Sequence, residues 1–374
     1  MGKHTIMGKH TIMVIFGTRP EAIKMCPLII ELKKHLELNV IVCVTGQHRE
    51  LLDQVLDYFG VVPDIDLDIM EKGQSVLEIT IKLIEKIANI CERIRPELTL
   101  VHGDTTTAFT AALCCFYAHF PVAHIEAGLR TYDMDNPFPE EFNRRVITLI
   151  SSYHFAPTQL AQNNLLEEKV NYNKIFVTGN TVIDSFKWTL NDKFVHEELE
   201  WVGENKLIIV TTHRRENQKG ALENILSAIR KVVNACYDIK VIFPVHPSPH
   251  VREVVYRILG DHERIHLIEP LSVEEMHNFL SRCFLVVTDS GGIQEEVAYL
   301  GKPVLVVRKV SEREESIGAN MEIVGTEETN IFNACMKLLS DNSEYKRRCV
   351  QSFAYGDGKA SMRIVDRILE IIEK

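Results

Sequence analysis

The sequence predicts an α/β protein made of two doubly wound domains, each a parallel sheet covered by helices on both faces. Three observations predict it. Short, nearly continuous apolar runs recur, each followed by a stretch with helical spacing, which is how parallel strands buried on both faces read. The runs fall into two series separated by a mixed, highly charged interval. The chain of 374 residues is long enough for two domains of roughly 100 to 200 residues each. The first series is Thr11–Phe16, Val40–Thr45, Leu98–Val101, Val122–Ile125, His154–Ala156 and Ile175–Thr178. The second is Leu207–Thr211, Lys240–Pro244, Ile265–Ile268, Leu285–Thr288 and Pro303–Val307. The seam lies between Asn180 and Lys206, its first part readable as a linking helix, which divides the chain into 7–180 and 181–360. The final segment, Ser361–Lys374, is apolar at Ile364, Ile368, Ile371 and Ile372 and predicts an amphipathic helix. Spacing alone leaves open which domain it packs on.

Composition narrows the class. Hydrophobic residues at 45% and charged residues at 25% match soluble globular chains and exclude disorder, collagen and coiled coil. Lys and Arg number 42 against 52 Asp and Glu, a net charge of −10, which argues against nonspecific nucleic-acid or anionic-membrane binding. Any anionic ligand must then be held by local positive charge. Nine scattered cysteines with no CxxC pair read as reduced thiols rather than a disulfide framework or a zinc site. No apolar run approaches the roughly 20 residues that span a bilayer, and a cytoplasmic location is expected. MGKHTI is written twice, at residues 1–6 and 7–12; a duplication occurring once is no architectural repeat and reads as an artefact at the start of the chain.

In open parallel sheets, ligands bind outside the carboxyl ends of the strands. Here those ends carry polar residues: Gly17-Thr18-Arg19, Gly46-Gln47-His48, His102-Gly103-Asp104, Glu126, Gly179-Asn180, His213-Arg214-Arg215, His246 and Asp289-Ser290-Gly291-Gly292. Two such rims, one per domain, predict a ligand cleft between the domains. Val286 to Glu296 runs from a strand through Ser290-Gly291-Gly292 into a helix, where close backbone approach and helix-start amides favour a diphosphate. Glu296, one turn on, suits ribose hydroxyls; the plain alternative is an ordinary strand-to-helix turn. Arg19, Lys24, His213, Arg214 and Arg215 are the basic candidates, arginine matching phosphate bidentately and lysine as a point charge. A solvated surface is the alternative for Lys24.

The N-terminal rim is acidic, with Asp104, Glu126, Glu140 and Glu141. Carboxylates near an apolar wall can serve as general acid or base. Each has a bland alternative. Asp104 would be the N-cap of a helix beginning at Thr105; Glu126 would answer a helix dipole. Glu140-Glu141 and Arg144-Arg145 would form an i, i+4 ladder. No HxxxH spacing joins the strand-end histidines, and no GxGxxG follows a strand, so neither a metal nor a nicotinamide cofactor is expected.

The motifs FGTRPEAIKM, VTGQHRE, LVHGDTTT, HIEAGLRT, PFPEEFNRR, FVTGNTVID, THRREN, PVHPSPHVRE, TDSGGIQEE, GKPVLVVR and YGDGKAS, in this order from Phe16 to Ser361, resemble the non-hydrolysing UDP-N-acetylglucosamine 2-epimerases. The resemblance implies two Rossmann-like domains of the GT-B type, a C-terminal helix 361–374 crossing back to the first domain, and a homodimer. It implies interconversion of UDP-N-acetylglucosamine and UDP-N-acetylmannosamine without cofactor, by loss of UDP to 2-acetamidoglucal and re-addition, supplying a cell-surface polysaccharide such as a capsule. Residue by residue it implies catalytic roles for Asp104, Glu126, Glu140 and His213. It also implies substrate contacts by Arg19, Lys24, Arg144, Ser290, Gly291, Gly292, Glu296 and Arg313, and an allosteric second substrate near Gln47 and His246. The chain departs from the family at Ser311–Glu315, which lacks a loop proline, at Met276, where an aromatic residue is usual, and at Glu50 and Gly73 beside the allosteric site. The rival readings are a GT-B glycosyltransferase, a hydrolysing epimerase and a silent sugar-nucleotide sensor.

Overall fold

The computed structural model describes residues 9–46, 49–71, 73–212, 220–309, 311–313 and 315–373. The chain divides into two compact units. One runs to Ser185 and is rejoined by the chain from Gly356 onward; the other is Phe186–Tyr355.

In the first unit the elements follow one another as β1 (His10–Phe16), α1 (Arg19–Leu32), β2 (Leu38–Val44), α2 (Arg49–Phe59), β3 (Ile65–Asp66), α3 (Val76–Ile94), β4 (Leu98–His102), α4 (Thr106–Tyr117), β5 (Val122–Ile125), α5 (Glu140–Ile150), β6 (Tyr153–Ala156), α6 (Gln159–Glu167) and β7 (Ile175–Val177). The strands form a seven-stranded sheet in the order β3-β2-β1-β4-β5-β6-β7, and each pairing is parallel. Ile12 to Phe16 are wholly buried, as a strand covered on both faces requires.

The chain passes through α7 (Thr181–Thr189) and α8 (Glu197–Val202) into β8 (Lys206–Thr211), α9 (Ala221–Ala235), β9 (Ile239–Pro244), α10 (Pro249–Leu259), β10 (Ile265–Ile268), α11 (Val273–Arg282), β11 (Leu285–Thr288), α12 (Gly291–Leu300), β12 (Val304–Val306), β13 (Met321–Ile323), α13 (Glu328–Ser340) and α14 (Asn342–Arg348). The second sheet has the order β10-β9-β8-β11-β12-β13, also parallel. In both units the order reverses beside the first strand. The switch points therefore lie between β1 and β4 and between β8 and β11, where ligands bind in such sheets.

All eleven anticipated strands form, within a residue or two at their ends. Two edge strands were not legible. β3 and β13 have two and three residues, too few to carry a pattern, and each is fixed by one neighbour, as in Cys43↔Ile65 and Val306↔Ile323.

The last helix, α15 (Ala360–Ile372), buries Ile364, Val365 and Ile368, whereas Ile371 and Ile372 are only half-buried. Its own N-cap residue, Lys359, gives no side-chain cap. Asp184 supplies it from α7, accepting from the Ala360 amide at 3.0 Å and the Ser361 amide at 2.6 Å. Two of the orphan N–H groups of α15 are thereby satisfied at a distance in sequence. Among the described residues, no helix is long and apolar enough to cross a membrane.

Candidate active site

At the first switch point, Thr18 caps α1 and forms a reciprocal capping box with Glu21. Arg19 is the first residue of that helix and is partly exposed. Lys24, a turn and a half on, is not the solvated lysine that its type suggests. It is 6% exposed and ion-paired with Glu126, itself 6% exposed. Glu126 also accepts from the Asn180 side chain at 2.7 Å, and His102 Nε2 lies 3.7 Å from the same oxygen.

Glu126 has φ +64, a left-handed conformation that costs a non-glycine residue roughly 1–3 kcal/mol and persists where surrounding contacts over-determine it. The backbone here is a turn after β5, not a helix start, so the helix-dipole reading falls. Gly128 in the same turn has φ +91, and a side chain there would collide with the Ala161 carbonyl.

Asp104 follows β4 and is ion-paired with Arg144 of α5. It does not cap α4. Thr105 does, accepting from the Ala108 amide at 3.0 Å, which leaves the Asp104 carboxylate outside the helix. Arg144 is 1% exposed, and its guanidinium meets Asp104 and, at 3.9 Å, Glu141. Arg144 is therefore a buried partner of Asp104. Glu141 is wholly buried and accepts from the Thr131 and Tyr132 amides at 3.1 and 3.2 Å, while Arg145 faces Glu168 at 3.9 Å. Among the described residues, Glu141 thus meets Arg144 and two amides, and Arg145 meets Glu168, in place of the Glu141–Arg145 rung of the ladder reading. Glu140 opens α5 and is partly buried.

Titrating groups near this rim pull stability in opposite directions. Burial, with Lys174 and Arg130 nearby, pushes the His154 imidazole from its usual 6.5 down to about 4, and burial likewise holds His124, its partner on the adjacent strand, well below normal. An unfolded chain then binds protons that the folded one refuses, so stability falls as pH drops from 6.5 toward 4, by up to about 3 kcal/mol for His154. Glu21 behaves oppositely. Burial pushes its carboxyl from 4.5 up to about 7, so its contribution is lost as pH rises across that window. Denaturation from pH 7 to 4 should therefore cost the wild type more than a His154→Phe variant. Equal slopes would clear His154 of the effect.

In the second unit, Ser290 precedes α12 with extended backbone and gives no side-chain cap, so the first amides of the helix have no cap from it. A Cβ on Gly291 would lie 2.6 Å from the Arg313 guanidinium, which would have to move to admit it. Arg313 is 5% exposed and paired with Glu295 at 2.7 Å and with Glu312. Ser311 donates to Gln294 at 2.7 Å, so the loop after β12 is tied to α12 twice. Arg313, an expected substrate contact, thus already has its charge met by two carboxylates.

Glu296 folds back over the helix start, its Oε1 3.8 Å from where a Gly292 Cβ would stand. His277 Nε2 lies 3.7 Å from its other oxygen and is oriented by Thr189, 2.6 Å from Nδ1. Met276 packs partly buried against the core beneath. His246 is exposed after β9, its Nδ1 accepting from the Ser248 amide at 3.2 Å. His213, Arg214, Arg215 and Gln47 lie outside the described residues, so their expected roles are not located.

The structure thus brings Lys24 to Glu126 and Asp104 to Arg144 in the first unit, and Gly291 to Arg313 and Gly292 to Glu296 in the second. Sequence reasoning missed three residues. Asn180 was visible only as a polar strand end. Glu21 was visible as the fourth residue of Thr18-x-x-Glu21, a readable capping box whose wider reach was not. His277 carried no signal, being a lone histidine on a helix face.

Fold and rims together define a doubly wound α/β protein of the nucleotide-binding kind, with its polar chemistry at the carboxyl ends of two parallel sheets. Comparison is more specific. The model of the UDP-N-acetylglucosamine 2-epimerase family matches residues 30–369, and the chain belongs to that family. It is 49% identical over 364 residues to UDP-N-acetylglucosamine 2-epimerase of Bacillus subtilis, covering 97% of this chain and 96% of the relative. Among solved structures, the S. aureus MnaA–UDP co-structure superposes with TM-score 0.94 at 44% identity, covering 97% of each chain. The UDP-GlcNAc 2-epimerase from Neisseria meningitidis bound to UDP-GlcNAc gives TM-score 0.92 at 41% identity, covering 96% of this chain and all of the other. The fold class is therefore the GT-B type.

Proposed function

We infer that the chain is a non-hydrolysing UDP-N-acetylglucosamine 2-epimerase, an isomerase that interconverts UDP-N-acetylglucosamine and UDP-N-acetylmannosamine. Beyond family membership, one observation carries the reading: two carboxylates, Asp104 and Glu126, stand past the ends of neighbouring strands β4 and β5, each held by a buried cation. The C2 proton of the sugar has no adjacent ketone to acidify it, so direct deprotonation is disfavoured. Expelling UDP from C1 as the C2 proton leaves gives 2-acetamidoglucal. Adding UDP back with a proton on the other face completes the inversion.

This route needs groups that stabilise departing UDP and groups that move protons. For the first, the α12 amides at Ser290-Gly291-Gly292, with Glu296 for the ribose and Arg19 and His213 as cationic or hydrogen-bonding groups, are suited. For the second, Asp104, Glu126 and Glu140 are suited, with Lys24 and Arg144 holding the first two of these carboxylates. A glycosyltransferase reacts at C1 and moves no proton at C2, so it needs no such set of proton-moving groups there.

The same reading places the enzyme in the cytoplasm, where nucleotide sugars are made, serving cell-surface polysaccharide synthesis. A homodimer is supported by apolar residues left exposed on two helices that both pack on α4, Leu77 and Ile81 on α3 and Leu149 on α5. Activation by a second substrate molecule near Gln47 and His246 belongs to the same proposal.

Turnover of UDP-N-acetylglucosamine in deuterium oxide tests the reaction. Deuterium is expected at C2 of the UDP-sugars; epimerisation with no solvent deuterium at C2 would overturn the route. Accumulation of free N-acetylmannosamine would mark a hydrolysing enzyme instead.

A further inference from the structure

The Glu21 carboxylate is 2% exposed inside the first turn of α1. One oxygen accepts from the Gly17 and Thr18 amides at 3.0 and 2.8 Å, and the other accepts from the Thr105 hydroxyl at 2.8 Å. The bond to Thr18 is half of an ordinary capping box. The bond to Thr105 is not, because it leaves α1 and reaches the turn between β4 and α4, 84 residues further on. Thr105 is itself the N-cap of α4. One carboxylate thus ties together the N-cap residues of two helices on opposite sides of the first switch point.

The β1–α1 turn also packs closely against the end of β2 and the first turn of α4. Thr45 and Thr107 hydroxyls lie 2.9 Å apart, and Gly17 sits against both with no room for a side chain. Arg19 directly follows Thr18, and Asp104 directly precedes Thr105. Two other helices, α3 and α11, have capping boxes through Glu78 and Glu275, neither of them buried. Capping alone does not require a buried carboxylate, and burial raises the free energy of the charged form.

We propose that Glu21 is a positioning residue for epimerisation, bracing the β1–α1 turn against the β4–α4 turn and so fixing Arg19 relative to Asp104. It does this without touching substrate. The inference rests on the epimerase reading.

The experiment compares full-length wild type with Glu21→Ala, Glu21→Gln and Glu21→Asp, measuring kcat, KM for UDP-N-acetylglucosamine and the thermal midpoint. Misplacement of reacting groups by about 1 Å costs up to roughly 10²-fold. Glu21→Ala should lower kcat at least about tenfold with KM within about threefold, because proton transfer and leaving-group stabilisation both belong to the transition state. Gln can turn its oxygen to the two amides and its NH2 to Thr105, and should recover most of the rate. Asp keeps the charge but is a methylene shorter, so it cannot span both turns and should not recover it.

A purely structural role predicts a lowered thermal midpoint with kcat per folded molecule unchanged. The brace is overturned if Ala and Asp both turn over within about twofold of wild type, or if Gln is no better than Asp. Should Glu21→Ala fail to fold, the contrast between Gln and Asp decides alone. A wild type that does not epimerise overturns the functional reading and this inference together; an active wild type with fully active variants overturns this inference only.

Discussion

Glu126→Gln should lower kcat by roughly 10²-fold or more, the usual size of an acid–base contribution. The side chain stays the same size, so the loss comes from charge and from the number of bonds an amide can accept. In the wild type, one carboxylate answers both the Lys24 ammonium and the Asn180 amide in a buried setting. A glutamine offers one oxygen and no charge, so the buried Lys24 loses the carboxylate it pairs with. Removing one partner of a buried pair costs about 3–5 kcal/mol, so the thermal midpoint should fall too. The two losses are separable. A Lys24→Met, Glu126→Gln double variant removes the uncompensated charge and should recover stability without recovering turnover. If Glu126→Gln turns over within about threefold of wild type, Glu126 has no part in the chemistry.

The contrast between Glu126 and Lys24 shows how far the sequence could be read. Strands such as β1 and β8 were legible because burial on both faces forces an unbroken apolar run, and their carboxyl ends located the rims. Glu126 was legible as a carboxylate at such an end. Its backbone at φ +64 was not, because neighbouring residues do not dictate that conformation; contacts with Lys24 and Asn180, far away in the chain, hold it there. Lys24 read as a candidate weakened by the general tendency of lysines to be solvated, and only the fold shows it buried. Arg144 makes the same point from the other side. Its spacing from Glu140 fitted a helix ladder, but helix periodicity says nothing about the β4–α4 turn that packs against α5. Motif order fixed the family, and local rules fixed caps and strands. The pairings that set the electrostatics are tertiary, and no local rule carries them.

Asp104→Asn should also lower kcat by roughly 10²-fold, and the way Arg144 responds distinguishes chemistry from support. Asp104 has 21% of its side chain exposed, enough to meet a ligand, whereas the Arg144 side chain is 2% exposed and meets Asp104 and Glu141. If Arg144 acts on turnover through Asp104, its removal harms a wild-type enzyme but adds little once Asp104 is already neutral. Groups that act as a unit are non-additive in this way. Arg144→Met should therefore reduce kcat by at least about tenfold alone, and the double variant should be no slower than Asp104→Asn. Stability should follow a different pattern. Among the described residues, Arg144→Met leaves the Thr131 and Tyr132 amides to answer the charge of the buried Glu141, so the thermal midpoint should fall in both the single and the double variant. Rate losses that simply multiply would show Arg144 to be an independent substrate contact, and near-normal turnover of Asp104→Asn would remove its carboxylate from proton transfer.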